Sequence, residues 1–367
     1  MNEVSGAANA QVVAAKKKLS SSFFKKGITV AILSGMCYGL YSAFMTLGMA
    51  KGVWANNLYA GVTVGGTVLS SFVMIYMLGA LGSALNDTIS GIWCILIAAI
   101  KGKLGDFFRT IKTKPGAVMI VAALIGGPIA STAYVVSLQM AGSIIIPITA
   151  LCPAIGAILG RILFKQELNA RMMGGIAICF AASMMIASTS MTGDAPAGRA
   201  LGMIIAFIAA LGWGIEGCVA GYGTSMIDYE IGITIRQCTS GLTNLIILVP
   251  LWGILSGGGV GLAGELIGNV VTDMPSLIFF IISGFASVYA YSLWYKGNSM
   301  CGAALGMACN GAYSFWGPFF IWIVLGVFDG QKGMGLPPIA WAAAIVMVLG
   351  ILVIAMNPMD LFRKKED

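Results

Sequence analysis

The stretch LGMIIAFIAALGWGIEGCVAGY, residues 201–222, decides how this chain folds. It is long enough to cross a bilayer as one helix, which takes about 20 mostly apolar residues. One carboxylate, Glu216, stands near its middle. Every other acid reads as lying in a polar connection, at a segment edge or in a tail. An ionised carboxylate in hydrocarbon is costly, so such a residue faces a wet cavity or a partner and marks a route for substrate or ions.

The rest of the chain agrees with that reading. Of its 367 residues, 58% are hydrophobic and only 10% charged, and there are 50 glycines. A soluble domain carries about 25% charged residues, so this composition specifies an all-α integral membrane protein. The eight cysteines, Cys37, Cys94, Cys152, Cys179, Cys218, Cys238, Cys301 and Cys309, sit in apolar segments without a CxxC pair. They act as small hydrophobes rather than as disulfide or zinc ligands. There is no histidine and no GxxxxGK[ST] loop, so no metal, cofactor or nucleotide-hydrolysing site is expected. The lysines before residue 28 precede an apolar run too long for a signal peptide's core, so this run is an uncleaved first span.

Apolar stretches of spanning length run over 28–50, 58–80, 117–139, 143–164 and 171–190, then 200–222, 231–255, 276–296, 299–326 and 339–357. With both termini cytoplasmic, these ten spans leave eighteen of the 21 basic residues inside and only Lys51, Arg199 and Lys332 outside. The Lys/Arg bias sets orientation, which favours ten crossings and a plasma-membrane, multi-pass protein. The shorter segment 86–100 is then expected to lie in the cytoplasmic interface, capped by Asn86 or Asp87 and anchored by Trp93, Lys101 and Lys103. The alternative is a long second span that includes it. A basic cytoplasmic loop, 101–116, follows.

The ten spans divide into two sets of five, 28–190 and 200–357, flanked by tails at 1–27 and 358–367. Tyr38-Gly39-Leu40-Tyr41 in the first span matches Trp213-Gly214-Ile215-Glu216 in the sixth. Ala141-Gly142-Ser143 and Gly297-Asn298-Ser299 each suggest a tight turn between the third and fourth spans of a half. Five is odd, so the second set enters upside down, giving two inverted five-helix repeats. On Tyr38-Gly39, Trp213-Gly214, Pro153, Lys165-Gln166-Glu167-Leu168 and Gly174-Gly175, the chain resembles the EamA type of the drug/metabolite transporter superfamily over about 28–357. The resemblance implies a ten-helix inverted-repeat carrier of small metabolites working by alternating access. The second half departs from it, with Phe328-Asp329-Gly330-Gln331-Lys332 where the pattern has a Lys-x-Glu close.

Glu216 is the expected coupling residue for a proton or cation, or the counter-ion of a cationic substrate. Tyr41, Trp213, Tyr291 and Trp316 are candidate cage or stacking residues, with interfacial or lipid-facing rings as the alternative. Tyr134, Gln139, Thr149, Asn310 and Ser314 offer hydrogen bonds in mid-span, and Asn310 and Ser314 share one helical face. Arg161 and Arg236 fall near cytoplasmic ends and are expected to snorkel, with the cavity as the alternative for Arg236. No catalytic residue is expected, and no acidic or histidine cluster suggests an enzyme. A passive facilitator is the competing reading. The expected partners are a small-molecule substrate, the lipid bilayer and a coupling ion, but not nucleic acid; a homodimer is left open.

Overall fold

The computed structural model describes residues 26–61 (save 28), 68–164, 169–188, 198–301 (save 225), 307 and 310–355. Every described element is a helix. Six are long and apolar enough to cross a membrane: α1 (Thr29–Met49), α2 (Val73–Ile100), the first part of Lys114–Thr149, α7 (Arg199–Gly223), α8 (Tyr229–Leu255) and α10 (Met274–Met300). Shorter apolar helices are α6 (Ala170–Met185), α9 (Gly259–Thr272), α11 (Tyr313–Phe328) and α12 (Pro338–Ile354). Between them lie α3 (Leu104–Thr110), α4 (114–141) and α5 (Cys152–Phe164).

Polarity is turned inside out. Ile246, Ile247, Ile254 and Leu255 of α8 and Ile204 and Ile208 of α7 face outward, while Asn86, Asp87, Glu216, Arg236 and Gln237 are buried. An apolar exterior around a polar interior fits an all-α membrane protein. Packing interleaves the two ends of the chain. Helix α2 lies against α8 and α10, α4 and α5 against α7, and α6 against α12.

Several boundaries differ from those expected. Residues 86–100 do not form a separate helix, and Asn86 and Asp87 do not cap one: both lie inside the unbroken helix α2. The physical reason is the stripe Ser83, Asn86, Asp87 and Ser90, spaced three and four apart, which is buried against α8 and α10. The second long helix therefore runs over 73–100 rather than 58–80. Gly297-Asn298-Ser299 makes no turn, since α10 continues through it and Gly297 closes against Ala31. The Gly142 turn does form, with φ at 70°. Helix α9 fills a stretch expected to be a connection. Both tails and the Lys165–Leu168 motif fall outside the described residues, apart from Lys26 and Gly27.

One irregularity positions the interior. Helix α4 begins at Thr113, whose hydroxyl accepts the Gly116 N–H at 3.2 Å. It then widens into a π-turn over Ile125–Ser131, around Gly126, Gly127 and Pro128. Proline removes a backbone donor and clashes with the preceding turn, which frees carbonyls for other partners; π-turns occur often at functional sites.

Candidate functional site

Within the π-turn of α4 the Gly126 carbonyl is a focus of side-chain hydrogen bonds. It accepts three bonds: from Trp213 Nε1 at 3.1 Å, from an Arg236 Nη2 at 3.2 Å and from Ser131 Oγ at 2.9 Å. Arg236 is fully buried, so it does not snorkel as expected. It lies about 10 Å along α8 from Tyr229 at 1.5 Å per residue, and the interior offers it four hydrogen bonds. Its Nε donates to Glu216 Oε1 at 2.9 Å, one Nη1 donates to Gln237 Oε1 at 2.5 Å, and Nη2 also reaches Ser131 Oγ at 3.2 Å. The guanidinium lies 4.0 Å from the centre of the Tyr291 ring. That stacking adds a cation–π contact in a desolvated place.

A second acid completes the cluster. Asp87 Oδ2 is 3.7 Å from Arg236 Nη1 and accepts the hydroxyl of Ser240. Tyr295 donates to Glu216 Oε1 at 3.2 Å, whereas Glu216 Oε2 is buried with no partner. Gln237 in turn donates to Ser90 at 2.5 Å and to Ser287 at 3.1 Å. Two carboxylates and one guanidinium thus meet where α2, α4, α7, α8 and α10 converge. The backbone makes room for them: a Cβ on Gly126 would stand 1.8 Å from Glu216 Oε2.

Beside the cluster lies an aromatic chamber. Tyr38 stacks on Tyr313 with centroids 4.2 Å apart and meets Tyr41 at 4.7 Å and Trp213 at 5.7 Å edge-on. Tyr41 also approaches Tyr291, at 6.3 Å. A cavity of about 10 Å³, room for about one water, is lined here by Tyr38, Trp213, Tyr291, Trp294, Asn310 and Tyr313 among others. Asn310 accepts the Ser34 hydroxyl at 2.7 Å, and Thr149 accepts that of Tyr313 at 3.3 Å. Tyr134 packs on Trp213 at 5.2 Å and donates to Ser42 at 2.8 Å.

Glu216, Tyr41, Trp213, Tyr291, Tyr134, Thr149 and Asn310 are therefore brought into one interior region. Three other candidates stand apart from it. Gln139 donates to Tyr59 and lines a cavity at one end of the bundle. Trp316 is half-buried among Phe315, Phe319 and Phe320. Ser314 is buried with its hydroxyl unpartnered. Gln237 and Ser240 were not singled out from sequence, Asp87 was read only as a helix cap, and Tyr295, near a span end, fits an interfacial belt from sequence but is buried here. The signal for Asp87 was present in the helical spacing of Ser83, Asn86, Asp87 and Ser90.

Two larger cavities open at opposite ends. One, of about 360 Å³, is lined by Met49, Tyr59, Gln139, Leu325, Gln331 and neighbours. The other, of about 300 Å³, is lined by Cys94, Lys101, Tyr229, Glu230, Thr234, Lys296 and neighbours. Along α2, Gly79 lies against Gln139 and Lys101 lines the far cavity. That separation is about 33 Å at the helical rise, close to the thickness of a hydrocarbon core, and Asp87 falls between. Each mouth carries ion pairs. Lys51, after α1, pairs with Asp329, after α11. At the other end Lys101 pairs with Glu230 at 2.5 Å, while Lys103 reaches Asp228 at 2.9 Å and Glu230 at 2.7 Å.

No protein-family profile matches this sequence, and no curated protein does. The fold nevertheless recurs among solved structures. One, described only as a crystal structure of a protein, superposes with a TM-score of 0.54 over 93% of this chain and 99% of its own, at 16% identity. At that identity the likeness concerns the fold alone.

Proposed function

We propose that the protein is a secondary transporter that carries a small polar or amine-bearing metabolite across the plasma membrane by alternating access, with Glu216 in the coupling site. The observation that carries this reading is the buried Asp87–Arg236–Glu216 cluster between two end cavities. Buried ionisable groups in membrane helices mark substrate and ion routes. Binding near the midplane between two halves suits a carrier. The reading takes α1, α2, α4, α5 and α6 as one five-helix repeat and α7, α8, α10, α11 and α12 as its inverted counterpart, in the manner of the drug/metabolite transporters that the sequence resembles. The basic 101–114 loop still follows the second crossing, so both termini are placed in the cytoplasm on the Lys/Arg bias.

The two sets of ion pairs join elements from both proposed halves, and a water-sized cavity lies in the packed interior between the end chambers. A carrier whose central site is occluded from both ends has this form. The test is uptake into proteoliposomes of purified protein, screened over amines, amino acids and small neutral metabolites, with and without a pH gradient. Gradient-driven accumulation that is lost in Glu216→Gln, with downhill exchange retained, is the expected result. Accumulation with unaltered pH dependence in Glu216→Gln would overturn the coupling role, and transport that never exceeds equilibrium would make the protein a passive facilitator.

A further inference from the structure

Asp87, Glu216 and Arg236 are 2%, 0% and 0% exposed, and with both acids ionised they sum to one negative charge. Among the described residues, the other titratable groups that interact with them are Tyr41 from α1, Cys94 from α2, Cys152 from α5, and Tyr291 and Tyr295 from α10. Phenols and thiols are uncharged at neutral pH by their ordinary values of about 10 and 8.5. None of them supplies the missing positive charge. Burial of an unbalanced charge is strongly unfavourable, and such sites neutralise by taking up a proton.

We propose that Asp87 and Glu216 hold a single exchangeable proton in common across Arg236, making the cluster a one-proton site built from both halves of the chain. The guanidinium lies between the acids, at 2.9 Å from one and 3.7 Å from the other, so they titrate as a pair rather than singly. Glu216 Oε2 is buried and accepts no hydrogen bond among the described residues, so it is the carboxylate oxygen on which a proton would sit. A cationic substrate group and the proton satisfy the same deficit, so each excludes the other. Removing either acid leaves one carboxylate matched to Arg236, which requires no proton.

This inference rests on the coupling role given to Glu216, and a measurement without substrate tests it. Infrared difference spectra of the full chain in lipid, recorded across a pH titration, report the protonated-carboxyl band and its shift in heavy water. One exchangeable carboxyl proton is expected in the unaltered protein, and none in Asp87→Asn or in Glu216→Gln. Both variants should melt close to the parent because their charges balance. Asp87→Glu, which keeps an acid there, should retain the band. A band that persists unchanged in Asp87→Asn and vanishes in Glu216→Gln would overturn the shared proton and leave Glu216 as a lone coupling residue. A band that survives both substitutions would place the proton elsewhere. Absence of transport in proteoliposomes would instead remove the carrier reading and leave the proton count standing.

Discussion

Gly126→Ala tests how closely the charged cluster is fitted to its surroundings. In an ordinary helix this change stabilises by about 1 kcal/mol, because alanine has the better propensity. Here the new Cβ would lie 1.8 Å from Glu216 Oε2 and 2.1 Å from its carboxyl carbon. The backbone cannot retreat easily, since the Gly126 carbonyl is held by Trp213, Arg236 and Ser131. The carboxylate must move, which gives up the 2.9 Å contact with Arg236 and the 3.2 Å bond from Tyr295. Separating one partner of a buried ion pair costs about 3–5 kcal/mol, so the electrostatic loss exceeds the propensity gain and the net destabilisation is about 2–4 kcal/mol. Gly174→Ala is the control. Gly174 is an exposed position in α6 with nothing within 4 Å of its added methyl, and it should gain about 1 kcal/mol. Reversible denaturation in mixed micelles, followed by tryptophan fluorescence, measures both. Equal stability of the two variants would refute the claim that Glu216 is pinned against α4.

Two further outcomes follow from the charge arrangement. Arg236→Gln leaves two buried acids without a counter-ion and should destabilise by about 3–5 kcal/mol, with much of the loss recovered when Glu216→Gln is added; additivity within about 0.5 kcal/mol in the same denaturation assay would mean the pair is not coupled. Lys51→Ala breaks a partly exposed pair and should change stability by under about 1 kcal/mol, yet speed labelling of Gln139→Cys by a membrane-impermeant maleimide; unchanged labelling would show that the pair does not close that mouth. The hydrogen bond from Lys51 holds Asp329 below its ordinary value of 3.8, so this latch is fully formed above that pH and is lost only as the pH falls through the lowered value. Bonds to Asp228 and Glu230 raise Lys103 above its ordinary 10.5, so its contribution is complete below that pH and lost only as the pH rises beyond it. Transport by Lys51→Ala should therefore keep the parental pH profile between pH 5 and pH 9.

The membrane-helix character and the buried place of Glu216 were legible because hydropathy and a lone charge are local signals. Asp87 was hidden by a different kind of ambiguity. Asn86-Asp87 before a short apolar run with tryptophan and lysines fits an interfacial helix as well as the continuation of a span. Only the packing of α2 against α8 and α10 distinguishes them. Arg236 was misread because its distance from the α8 start lies within the reach of a snorkelling side chain. Its acceptors come from Glu216, Gln237, Ser131 and the Gly126 carbonyl in the π-turn. No local pattern around residue 236 encodes that set. The Gly297 turn failed for a similar reason: glycine there serves close approach to Ala31 rather than chain reversal.

The placement of the three charges across the chain has a mechanical consequence. Glu216 and Arg236 sit on α7 and α8, successive helices of the second half, whereas Asp87, Gly126 and Ser131 belong to α2 and α4 of the first. Helix α7 packs chiefly on α4 and α5, and α8 on α2 and α4, so on the proposed alternating-access mechanism a shift of α2 against α8 would stretch the 3.7 Å approach of Arg236 to Asp87. In that arrangement Asp87 would lose its counter-charge, and under the shared-proton proposal proton occupancy and helix arrangement would be linked through one side chain. At the mouths, Asp329 is held below its ordinary value and Lys103 above its own, so neither changes charge near neutrality. A pH dependence near neutrality that disappears in Asp87→Asn is therefore what the shared-proton proposal requires.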